Sequence, residues 1–110
     1  MAINFAGNNH VPISAAQDDG NAVILDCPPE LAHLKRRVTR LTVTSELDAV
    51  VTFSLRSATG TVRPITGPLS LPYELVGQSP DNPVFELVPG DELLMQVSGN
   101  PVGGYLSWSF

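Results

Sequence analysis

Paired cysteines, long apolar runs and basic charge are all scarce in this chain of 110 residues. No stretch approaches the roughly 20 consecutive apolar residues that a membrane helix requires, so no membrane partner is expected. Met1-Ala2-Ile3-Asn4-Phe5 lacks the basic flank and apolar core of a secretory signal. The single Cys27 cannot close an internal disulfide and reads as a small packed thiol, so nothing calls for an oxidising compartment. These features predict a soluble protein made in a cytoplasm. Six bases against eleven acids leave a net charge of −5, which argues against general affinity for nucleic acid.

Groups that carry chemistry are equally sparse. His10 and His33 stand far apart, with no metal-ligand spacing between them. Asp18-Asp19-Gly20-Asn21 resembles a calcium loop only at its start, because no bidentate Glu follows at the required distance; it reads as a turn. Glu46 with Asp48, and Asp91 with Glu92, are paired carboxylates in turns, and no general-acid partner accompanies either pair. No serine sits in a GxSxG elbow, and Gly60, Gly67 and Gly103-Gly104 belong to turns or strands, not to a phosphate loop. The expectation is a protein that is not an enzyme and that holds no metal or cofactor.

What the chain does have is alternation. Between Arg37 and Ser57 the inner positions read Thr39, Leu41, Val43 and Ser45, then Ala49, Val51, Phe53 and Leu55. Arg40, Thr42 and Thr44, then Val50, Thr52, Ser54 and Arg56, take the other face. A period of two marks half-buried strands, and Ser45-Glu46-Leu47-Asp48 between them predicts an antiparallel hairpin. Ala22-Val23-Ile24-Leu25 is a short continuous apolar run, suited to a strand buried on both sides, and Cys27-Pro28-Pro29 ends it. Glu30 to Lys35 could form one helical turn. Thr61 to Ile65, Leu69 to Leu75, Val84 to Val88, Glu92 to Ser98 and Val102 to Phe110 complete the strands. Pro72 within its run predicts a sheet edge or a bulge. Leu93, Met95 and Val97 are predicted to point inward, as are Val102, Leu106, Trp108 and Phe110.

Ten prolines, nine glycines and turn signals about every 8–12 residues predict an all-β fold. The expected form is a single-domain antiparallel β-sandwich or jelly roll of about eight short strands over residues 21–110. Residues 1–20 have no sustained period, yet they carry Ile3, Phe5, Val11 and Ile13. They are read either as an extended N-terminal arm that docks on a partner, or as a disordered or self-packed terminus. Four of the six bases, Lys35, Arg36, Arg37 and Arg40, fall within six positions. They form either a patch for phosphates or an acidic partner, or a solvated strand start. Trp108 and Phe110 are expected in the core or at a subunit interface. Trp108, Tyr105 and Tyr73 are also weighed as a sugar-stacking platform, with core packing preferred for Trp108.

Ser57-Ala58-Thr59-Gly60, Ile65-Thr66-Gly67-Pro68-Leu69-Ser70-Leu71-Pro72-Tyr73, Pro89-Gly90-Asp91-Glu92-Leu93 and Gly103-Gly104-Tyr105-Leu106-Ser107-Trp108 together resemble small virion proteins of tailed bacteriophages. The resemblance spans about residues 37–110 and departs at Val76 to Pro83, where the loop is short and lacks aromatics. It implies a capsid decoration (cement) protein, or a related fibre or tail component, located on the virion and acting as a homo-oligomer, most often a homotrimer. On that reading the partner is the major capsid protein. The arm residues Ile3, Phe5, Val11 and Ile13 make the capsid contact, and Trp108 and Phe110 lie at the oligomer interface. The alternative is a carbohydrate- or receptor-binding module of a fibre or tail that uses Tyr73, Tyr105 or loop 76–83.

Overall fold

Short alternating segments punctuated by Pro and Gly become ten strands in a computed structural model, which describes residues 9–31, 34–76 and 83–110. They are β1 (Asn9–Ala15), β2 (Asn21–Asp26), β3 (Arg36–Thr44), β4 (Ala49–Arg56), β5 (Val62–Pro64), β6 (Leu69–Ser70), β7 (Tyr73–Val76), β8 (Phe85–Leu87), β9 (Glu92–Gly99) and β10 (Val102–Ser109). Two 3₁₀ turns, Gln17–Asp19 and Pro29–Leu31, lie between them.

The strands form two antiparallel sheets. One runs β1-β10-β3, with β7 and β8 both paired to the outer edge of β3; the other runs β2-β9-β4, with β5 and β6 both paired to β4. Because β5/β6 and β7/β8 are each one edge strand in two pieces, ten segments occupy eight positions. Successive strands switch sheets from β1 to β4, and β1 to β4 each pair only with β9 or β10 among the long strands. This is jelly-roll connectivity, as the expected fold class requires.

Burial of the facing apolar surfaces holds the sheets together. Val38, Val43, Leu87 and Leu106 from one sheet and Val51, Phe53, Leu93 and Met95 from the other are wholly buried. Phe53 meets Phe85 across the layers with ring centres 5.8 Å apart. Each such side chain removed from water contributes on the order of 1.5–3 kcal/mol.

Five local expectations need correction. The stretch 37–57 does contain two strands, but β3 and β4 lie in different sheets, so Ser45–Asp48 arches between layers and closes no hairpin. The run 69–75 is likewise split: Leu69–Ser70 pairs with β4, Tyr73–Val76 pairs with β3, and Leu71-Pro72 is the crossing. A bulge puts both Val38 and Leu41 in the core and leaves Thr39 unpaired opposite Ser107/Trp108, so Thr39 is not an inner residue of a regular strand. A second irregularity at Ile24 buries Ile24 and Leu25 together, while Val23 stays 46% exposed. The helical turn expected over Glu30 to Lys35 is found as a 3₁₀ turn, Pro29–Leu31, that starts one residue earlier, and Gln17–Asp19 forms another where the sequence reads as a plain turn.

The N-terminal expectation also changes. Residues 9–15 are not part of an arm, because β1 is the edge strand of a sheet and pairs with β10 along its whole length. Ile13 and Ala15 alternate inward and are buried, which gives this segment the period of two that is hard to see beside Pro12. Proline fits there because an edge strand has one side on which no ladder donor is needed.

Candidate functional site

The basic cluster sits where β3 begins, and its charges are used within the chain. Lys35 Nζ and Arg37 Nε lie 3.3 and 3.4 Å from the two carboxylate oxygens of Glu86 on β8. Arg40 faces Glu74 at 3.8 Å, and Arg36 faces Asp26 at 3.5 Å. Exposed pairs of this kind contribute about 0–1 kcal/mol each. Their consequence is geometric: each of the four bases has an acidic neighbour on another strand, Glu86 and Glu74 in the same sheet and Asp26 in the facing one, so they do not form an unopposed positive patch.

Arg36 turns toward the core. Its Nη1 donates to the Asp26 carbonyl oxygen at 2.8 Å, and its guanidinium lies over Trp108, 4.1 Å from the ring centre. Phe110 packs edge-on against the same indole with ring centres 5.0 Å apart. Trp108 is thus only 8% exposed within the single chain, whereas Phe110 is 46% exposed. Of the two expected interface residues, Trp108 is covered by its own chain and Phe110 keeps an open flank.

The arm residues part in the same way. Ile13 belongs to the core and Val11 packs against it, so neither is free to reach a partner. Ile3 and Phe5 lie outside the described residues, as do His33 and positions 77–82 of the 76–83 loop.

Tyr73 and Tyr105 do not form one platform. Tyr105 stands on the outer face of its sheet opposite Thr42, which pairs in turn with Glu74; Tyr73 is opposite Val43, whose side chain is in the core. The exposed surface around Tyr105 contains His10, edge-on at 6.0 Å, and the Thr42 hydroxyl, which donates to Glu74 at 3.1 Å. Next to them Ser107 Oγ and His10 Nδ1 share a hydrogen bond of 2.8 Å. No carboxylate hydrogen-bonds the other side of His10 among the described residues, so this contact lacks the third member of a nucleophilic triad.

The best-defined surface feature was not anticipated. The β1–β2, β3–β4 and β9–β10 connections meet at one end of the sandwich and are hydrogen-bonded to one another. Ser45 Oγ donates to the Pro101 carbonyl at 3.0 Å and accepts from Leu47 N–H at 3.4 Å. Asn100 donates to the Asp48 carbonyl through its backbone N–H at 3.2 Å and its side-chain amide at 2.8 Å. Gly99 N–H donates to the side-chain oxygen of Gln17 at 2.8 Å. Out of this framework projects Leu47, 67% exposed, beside a surface cavity of about 260 Å³ bordered by Ser45, Glu46, Asn100 and Pro101. A leucine between two acids in a turn was the available sequence signal. At the opposite end, Leu55, Ser57, Thr61, Arg63, Val88 and Asp91 line a second hollow of about 290 Å³.

Cys27, 1% exposed, rests at that opposite end with its Sγ 3.6 Å from the Leu34 carbonyl. Burial raises its thiol pKa, and Arg36 partly opposes the rise. Among the described residues no three His, Cys, Asp or Glu side chains converge as a metal site. Comparison with protein-family models, with curated proteins and with solved structures finds no match to this chain.

Proposed function

We propose that the chain is a virion structural protein of the tailed-phage kind, a capsid decoration (cement) protein that binds the outer shell as a homo-oligomer and stabilises it. The observation that supports this reading best is a jelly-roll block whose end loops are cross-tied, presenting an apolar side chain beside a shallow cavity. A rigid surface of this type suits adhesion, because little conformational freedom is lost when it binds. Jelly rolls also serve in viral capsid and lectin domains, so the fold agrees with the reading by analogy. Three copies, the number the resemblance implies, would repeat each contact around an axis and make modest contacts strong together. Phe110, with its open flank, is then the interface candidate within the oligomer, and Ile3 and Phe5 are the remaining capsid-contact candidates of the N-terminal segment.

Immunogold electron microscopy of particles released from cells that carry the gene tests the proposal. Label over icosahedral shells is the expected result, and particles without label would overturn it. Light scattering on the purified protein gives the subunit count.

The second reading, a glycan- or receptor-binding module of a fibre or tail, is favoured by one observation. Tyr105 is exposed on a flat sheet face among His10, Thr42 and Glu74, an aromatic beside hydroxyl and carboxylate groups. Label confined to tails, together with binding on a glycan array that Tyr105→Ala abolishes, would select it.

A further inference from the structure

The negative charge of the chain is gathered at the end that carries Leu47. The connections there, 16–20, 45–48, 71–72 and 100–101, hold Asp18, Asp19, Glu46 and Asp48 and no base, whereas the other seven acids of the sequence are nearly matched by all six bases. One end of the sandwich therefore carries most of the net charge of −5. Within it lies an apolar tip, Leu47, with the cavity at its foot, held in place by the hydrogen bonds that Ser45 and Asn100 donate and that Gln17 accepts from Gly99. Burying a leucine against a partner is favourable, and carboxylates around it would reject acidic surfaces and steer basic ones in.

We propose that this end is a docking surface for a basic protein segment, one that places an apolar side chain in the cavity beside Leu47 and flanks it with lysines or arginines. Charge selects the partner and speeds encounter, and the apolar contact holds it. The inference goes beyond the capsid reading. It concerns the chemistry of the partner, and its test involves no shell, so either can fail without the other.

The test is titration of the isotope-labelled full chain, followed by NMR, with a synthetic peptide of alternating lysine and leucine. An all-lysine peptide and a glutamate–leucine peptide serve as controls. Saturable shifts confined to 45–48 and 99–101 are expected, with no binding of the glutamate–leucine peptide. Leu47→Asp should weaken binding by about tenfold or more, and Glu46→Lys by several-fold. Glu30→Lys, an equal charge change at the opposite end, should alter it by less than about twofold. All three side chains are exposed, and Trp108 fluorescence confirms that each variant is folded. Three results would overturn the proposal: no binding, shifts centred elsewhere, or equal affinity for the all-lysine peptide and for the Leu47→Asp variant.

Discussion

The guanidinium of Arg36 lies 4.1 Å from the centre of the Trp108 ring, so a member of the basic cluster covers the chain's one tryptophan. Stacking of this kind contributes about 0.5–2 kcal/mol, and the bond from Arg36 to the Asp26 carbonyl ties the stack to β2. Arg36→Ala should therefore lower unfolding free energy by about 1–2 kcal/mol, and Trp108→Ala by about 3–5 kcal/mol through the cavity it leaves. Urea titrations followed by circular dichroism check both. In the Arg36 variant the tryptophan emission should also shift to longer wavelength in the native state.

Gly104 occupies a backbone conformation with φ of +155° in the central strand β10, and a Cβ there would run into the Thr42 carbonyl oxygen. The obstacle is backbone of a paired strand, which cannot rotate away. Gly104→Ala is expected to destabilise by more than about 3 kcal/mol or to prevent soluble folding. Gly67→Ala, with nothing near its added carbon, should stay within about 0.5 kcal/mol of the parent. Thermal unfolding of the two variants side by side gives the comparison.

Pro12 sits in the middle of edge strand β1, opposite Tyr105. It denies one backbone donor to any chain adding to that edge. Pro12→Val should leave monomer stability nearly unchanged and accelerate self-association. Time-resolved light scattering at equal concentrations would show whether the variant associates faster than the parent.

Burial raises the Cys27 thiol pKa in the folded chain, so the unfolded chain loses its thiol proton first as pH rises. The contribution of Cys27 to stability is therefore complete below the ordinary thiol value of about 8.5 and is lost above it. Cys27→Ala should remove that alkaline decline while costing some packing at every pH. Reaction of native Cys27 with a thiol reagent should be slow and should quicken with denaturant.

The strands were legible because their residues alternate. Ala49, Val51, Phe53 and Leu55 announced β4, and Leu93, Met95 and Val97 announced the inner face of β9; all seven are buried. What alternation does not encode is the partner. A four-residue link such as Ser45–Asp48 satisfies the same pattern whether it closes a hairpin or arches between layers, and the choice is made by β9 and β10, which arrive some fifty residues later. Bulges at Thr39 and Ile24 were hidden for a related reason: an extra residue shifts the period, and only the facing strand shows which residue is extra. Leu47 does not stand out in the sequence alone, because an exposed leucine in a turn is ordinary until the neighbouring loops brace it.

The pairing plan also bears on how the polypeptide acquires its shape. None of β1 to β4 hydrogen-bonds to another of the four; each waits for β9 or β10 to fill the gap between its neighbours. A nascent chain emerging from a ribosome would thus hold β1 and β2 wholly unpaired, and β3 and β4 open along one edge, until β9 and β10 are synthesised, and closure then demands contacts between residues nearly a hundred positions apart. Such topologies mature slowly, over milliseconds to seconds or longer, and during that interval a proline on the rim and two rim strands cut short guard against mispairing with other copies.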